Sequence, residues 1–230
     1  MIQMSTRMFL SALLTTVAAM AYAAESPLTI SDLATGESSH VRITNTGRQP
    51  VTAWSLAATT ESEGGRTHRE VYTTDGYLSE ATHGLPKAAQ RFERLMPGES
   101  REVPLDRLAA GAKVDVVATV LDDRTAIGDE AALSSIFANR VKERDAFKAV
   151  VDAFNAVLPV AHGAEALSAL KDRFSALVQR EDNAPCHAAL DAVLTYQQKA
   201  GAPEIDTSLR TYAAFVAKEY DLAAKHSDRK

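Results

Sequence analysis

Four carboxylates, Asp122, Asp123, Asp129 and Glu130, crowd into the stretch DDRTAIGDE, and oxygen ligands at that density are what a calcium ion asks for. The stretch lacks the alternating Asp/Asn ladder of a calcium hand. Asp129 stands instead where a helix N-cap belongs, with Glu130 next to it at the positive end of the helix dipole, so the spacing predicts capping. The six histidines, His40, His68, His83, His162, His187 and His226, include no pair three or four residues apart, which removes the zinc-binding helix motif. Cys186 and His187 are the one adjacent thiol and imidazole, but neighbours on a helix point about 100° apart, which makes His187 a poor base for that thiol. Covalent haem attachment needs a second cysteine three residues before Cys186, where the chain has Asn183. There is no G-x-S-x-G for a serine nucleophile, and Gly64-Gly65 in ESEGGRTHRE reads as a loop tip rather than a phosphate cradle. No catalytic, cofactor-binding or metal-ligating residue is nominated, and no cofactor is expected.

Any site must be carried by the elements around these residues, and the first half of the chain has the texture of short strands. Val41 and Ile43 alternate with Arg42 and Thr44 up to Asn45-Thr46-Gly47, a turn in which Gly47 is free to take positive φ. A second strand starts at Pro50-Val51 and runs through Trp54 to about Ala58, and the spacing predicts a hairpin between the two. Trp54 is assigned to packing, because its area dominates a small core. Met96-Pro97-Gly98-Glu99 fits a type II turn. In Leu108 to Leu121, Val114, Val116, Ala118 and Val120 recur at period two, while the alternates Asp115, Val117, Thr119 and Leu121 grow more apolar, as if the strand's end were covered on both faces. From Thr59 to Arg94 the chain is polar, with Val71, Tyr72, Tyr77 and Leu78 as its clear apolar groups, and it reads as a long loop region holding one or two short strands.

The run LAAGAKVDVVATV resembles the late strand of immunoglobulin-like and fibronectin-type sandwiches, with Val114 where those folds often hold a tyrosine. ITNTGRQPVTAW, then MPGES, then VATVLDD ahead of a helix also resemble a class of uncharacterised exported bacterial proteins, over roughly residues 28 to 158. The resemblance implies a sandwich followed by a helical tail and brings no activity with it.

After Gly128 the hydrophobic period changes from two to about 3.6. Leu133, Phe137, Val141, Phe147, Val151, Phe154 and Leu158 form a stripe interrupted at Arg144, predicting one helix from Glu130 to Leu158, closed by Pro159. Leu167, Leu170, Phe174 and Leu177, then Leu190, Val193 and Leu194, then Leu209, Tyr212 and Val216 predict three more, with breaks at His162-Gly163, Asn183 to Pro185 and Gly201 to Pro203. Four helices with short connections pack most simply as an antiparallel bundle, with dimerisation through the first helix as the rival use of its stripe. Cys186 shares a face with Leu190 and Val193, which predicts a buried thiol; an intermolecular disulfide and a reactive thiol are the alternatives.

Arg7, the apolar run Met8 to Met20 and the small residues of Ala21-Tyr22-Ala23 together read as an export signal cleaved after Ala23, with the apolar run too short to span a membrane. The expected organisation is therefore α+β: a signal peptide over 1–23, an immunoglobulin-like antiparallel β-sandwich over 24–128 and a helical domain of about four helices over 129–230. A formal charge of −5, made more acidic by loss of Arg7, argues against nucleic acid as a partner. The function expected is an exported, periplasmic or secreted, non-enzymatic binding or structural module that contacts a protein partner, without membrane insertion after signal cleavage. The alternative is an enzyme or metal-dependent receptor with a site assembled from loop residues 59–94.

Overall fold

The computed structural model describes residues 25–36, 38–61, 65–82, 94–106, 108–109, 111–180, 183–199 and 202–230; the export signal with its cleavage site, Gly64, and His83 with Gly84 lie outside the described residues. The described elements run β1 (Leu28–Ala34), β2 (His40–Asn45), β3 (Val51–Glu61), β4 (Thr67–Asp75), α1 (Ser79–Thr82), β5 (Ser100–Pro104), β6 (Lys113–Leu121), β7 (Ala126–Gly128), α2 (Glu130–Val157), α3 (Gly163–Arg180), α4 (Ala184–Lys199) and α5 (Ala202–His226). The fold is α+β, with two antiparallel sheets ordered β1-β2-β5 and β4-β3-β6-β7.

The expected hairpin between the second and third strands does not form, because β2 and β3 belong to different sheets. Asn45 is the reason. Its buried side-chain amide donates to the carbonyls of Gln49 and Leu95, 2.9 Å each, and its Oδ1 accepts from the Gly47 N–H at 2.9 Å. With two of these bonds inside the corner and the third to Leu95, which also pairs with Val51, the corner leads the chain across to the opposite sheet instead of back along β2. Gly47 is not at positive φ either. It is needed for close approach, since a Cβ there would lie 2.7 Å from Pro27 Cβ. The turn at Met96 to Glu99 forms as expected, with the Glu99 N–H bonded to the Met96 carbonyl at 3.0 Å.

Val41, Ile43 and Val103 of one sheet meet Trp54, Leu56 and Ala58 of the other in a common core, and Trp54 is fully buried in it. β3 is buried without a break from Val51 to Ala58, a strand covered on both faces. Its second cover is α2: Ala53, Ala118 and Val120 pack against Leu133, Ile136 and Phe137. The same contact explains why the end of β6 loses its polar alternation.

α2 begins where expected. Asp129 Oδ1 accepts from the Ala132 N–H at 2.9 Å, and the Asp129 N–H bonds the Val117 carbonyl at 2.7 Å, so sheet and helix join without slack. Gly128, at φ +122°, admits no side chain there, because a Cβ would run into the Val117 carbonyl. Beyond its first turns α2 leaves the sheet, and Phe147, Val150, Phe154 and Val157 pack with Leu170 and Phe174 of α3, Cys186 and Val193 of α4, and Leu209 and Val216 of α5. Each such side chain contributes roughly 1.5–3 kcal/mol by leaving water. Cys186 is fully buried, on the face predicted for it. Tyr77 and Leu78, just after β4, also enter this core, so a segment between strands is part of the helical packing.

Candidate functional site

Among the described residues, a set of buried and half-buried ionisable groups lies where the second sheet meets α2 and the end of α5. It is built on Arg140, which is 1% exposed although it is an arginine. Leu133, Ile136 and Phe137 seat the first turns of α2 on the sheet, and Arg140, one turn further along the same stripe, is carried into the junction. Its guanidinium forks onto Asp75 at the end of β4, with Nε 2.7 Å from Oδ2 and Nη2 2.9 Å from Oδ1. Nη2 also donates to Thr52 Oγ1 at 3.1 Å, and Nη1 donates to the His226 carbonyl at 3.2 Å. The group lies 4.8 Å from the Tyr77 ring centroid and 5.4 Å from that of Phe137, so aromatic faces cover it.

Around this centre the charges are shifted. Burial pushes the Asp75 carboxyl up, and the bonds from Arg140 pull it back. Burial and then the neighbouring Glu143 push the Tyr77 hydroxyl up, and that hydroxyl donates to Glu143 Oε2 at 2.7 Å. Burial and then the Arg140 charge lower the His226 imidazole to about 4. Perturbed groups of this kind mark functional sites and structural ion-pair networks alike. Here the geometry is that of a lock: both oxygens of Asp75 receive Arg140, and two further guanidinium N–H groups go to Thr52 and to the α5 terminus.

The four carboxylates of DDRTAIGDE are not brought together. Asp122 accepts from Arg94 Nη1 at 2.8 Å, and Asp123 accepts from the Thr125 N–H at 2.9 Å. Asp129 caps α2, and Glu130 pairs with Arg229 at 2.7 Å. Among the described residues no three His, Cys, Asp or Glu side chains converge as a metal site. His187 is exposed while Cys186 is buried, so the two do not share a surface.

The alternative site over 59–94 has two described parts. On β4, His68, Glu70 and Tyr72 share one face at alternate positions, with the Tyr72 hydroxyl 2.6 Å and His68 Nε2 3.0 Å from Glu70. The Tyr72 hydroxyl, then His68, hold Glu70 below the usual carboxylate range. Further on, Asp75 and Tyr77 turn inward to the Arg140 lock.

Reading of the sequence marked the break at Arg144 and missed Arg140. The signal was present, since Arg140 lies three residues after Phe137 and seven before Phe147, on the apolar stripe itself. Two open grooves lie on the helices, about 450 Å³ between α2 and α3 beside Asp152 and Arg173, and about 490 Å³ beside Leu158, His162 and Arg210. Among the described residues no helix is long and apolar enough to cross a membrane. No family model, no curated protein and no solved structure matches this chain.

Proposed function

We propose that this chain is an exported, non-enzymatic binding module acting on a protein partner, with the two sheets as its binding part and the helices as a fixed backing. The observation that carries the proposal is β4. It is the longer of the two edge strands of the four-stranded sheet, paired with β3 over nine residues from Asp75 to Thr67 and exposed from Thr67 to Val71. An exposed edge is what an extended segment of a partner joins when it adds a strand, with alternate side chains giving selectivity. The preset His68, Glu70 and Tyr72 row and the exposed Val71 supply two different faces for that purpose.

We further propose that the sheets form an immunoglobulin-like sandwich and the long helices an antiparallel bundle. Lettered in chain order, with β4 as an added C′ strand, the sheets read ABE and C′CFG, whereas the constant-type arrangement puts its fourth strand beside E. The start of α2 at Glu130 beside Arg229, just past the end of α5, supports an antiparallel pairing of those helices. Arg7, the apolar run and the Ala21-Tyr22-Ala23 site support export.

A photocrosslinking side chain placed at Val71 in the exporting cell tests the binding role, with exposed Arg42 on β2, the central strand of the three-stranded sheet, as the control position. The expected result is one discrete protein adduct from position 71 and none from 42. Equal labelling from position 71 and from the central-strand control, or none from either, contradicts it. The enzyme reading draws support from the shifted Asp75, Tyr77 and His226, and an adduct-free protein that turns over a substrate lost in Asp75→Asn would favour it.

A further inference from the structure

We propose that the last turn of α5 with the segment His226 to Lys230 is an acid-released latch, freed from the sheet–helix junction when the buried His226 imidazole takes up a proton. His226 is 2% exposed, and its Nδ1 has no hydrogen-bond partner among the described residues. Its ring lies against Tyr77, centroids 5.9 Å apart, and its backbone carbonyl is the one Arg140 holds. A proton on this ring would place a second buried cation beside Arg140 with nothing at Nδ1 to receive it.

The surrounding charges work on both sides. Arg140 on α2 and Lys225 on α5 itself oppose the proton, while Asp122 after β6 and Glu80 on α1 favour it. Those two carboxylates are already engaged, both with Arg94, at 2.8 Å and 2.7 Å. Asp75 on β4 is occupied twice over by Arg140, and Glu143 on α2 receives the Tyr77 hydroxyl. Burial and Arg140 therefore win, and the docked imidazole protonates at about 4.

Ala223 and Leu222 pack on the helical core at the base of the segment, and beyond them its remaining ties among the described residues are polar. Arg144 Nη1 reaches Ser227 Oγ at 3.2 Å, Arg229 pairs with Glu130, and Lys230 lies 3.6 Å from Asp123. The last two are surface pairs, which contribute little. Leu209 and Val216 anchor the earlier turns of α5 in the helical core, so what is released is the end of the helix and not the whole of it. Release would uncover the Tyr77 ring.

The sign follows from the two proton affinities. A released imidazole titrates near 6.5 and the docked one near 4, so docking is undisturbed above about pH 6.5 and is lost progressively as pH falls towards 4. At about pH 4.5 the ratio of released to docked segment should exceed its value at about pH 7 about 60-fold.

Hydrogen exchange of the full chain, corrected for intrinsic rates, reads this directly. Backbone amides of 222–230 should open about 60-fold more often at about pH 4.5 than at about pH 7, while those of 205–218 do not, and His226→Phe should abolish the difference. Unchanged protection of 222–230, parallel opening of 205–218, or the same acid response in His226→Phe would overturn the proposal. If that variant does not fold, NMR of the native chain decides: imidazole protonation accompanied by lost protection of the 222–230 amides upholds the latch, and protonation with those amides still protected overturns it.

Discussion

Arg140 shows how a single side chain can decide what an interface is for. An arginine on an apolar helix stripe is expensive to bury, and this one is kept by the bidentate Asp75 with Thr52 and the α5 carbonyl around it. Arg140→Met leaves the Asp75 carboxylate buried without its partner and should cost about 3–5 kcal/mol in urea unfolding, whereas Arg140→Met with Asp75→Leu should recover most of that loss. A double variant as unstable as the single would mean that the pair contributes more than a mutually cancelling lock. The same scale shows what can be read from residues alone. Asp129 as an N-cap and Cys186 as a buried thiol follow from position on a helix, and both stand in the structure. The place of Arg140 on the apolar stripe was legible, but its partner was not, and neither was the role of Asn45, because these depend on groups far away in the chain, at Asp75 and Leu95.

Among the elements, the helices were the most legible, since a 3.6-residue stripe with proline and glycine at its ends is a local signal; α2 is found within one residue of its expected end. β4 was the least legible. Its polar composition reads as a loop region holding one or two short strands rather than a nine-residue strand, because an edge strand exposed along most of its length has few positions that must be apolar, and Tyr72 is the main inward anchor. The pairing of β2 and β3 failed for a related reason: alternation identifies strands but not which sheet they join. The β7–α2 joint is the element boundary with the tightest demand. Gly128→Ala should destabilise the fold by more than the about 1 kcal/mol expected for Asp129→Ala, because the first meets the Val117 carbonyl and a positive φ together while the second loses one cap bond. Thermal unfolding of the two variants checks the order, and a milder Gly128→Ala would show that the joint relaxes.

At the scale of the molecule, the binding proposal needs sheets and helices to move as one body, so that an edge strand is presented from a fixed backing. Three contacts argue for this: α2 on the outer face of the four-stranded sheet, Tyr77 and Leu78 inside the helical core, and the Arg140 lock between them. The chain provides its own two reporters. Trp54, the single tryptophan, sits in the core between the sheets, and the four long helices dominate the far-ultraviolet circular dichroism. Urea unfolding followed by both signals is therefore the most direct test. One shared midpoint and slope is the result expected for a single cooperative body. A tryptophan transition separated from the helical one would contradict it, because the sheets and helices would then be independent units and the junction no more than a contact between them.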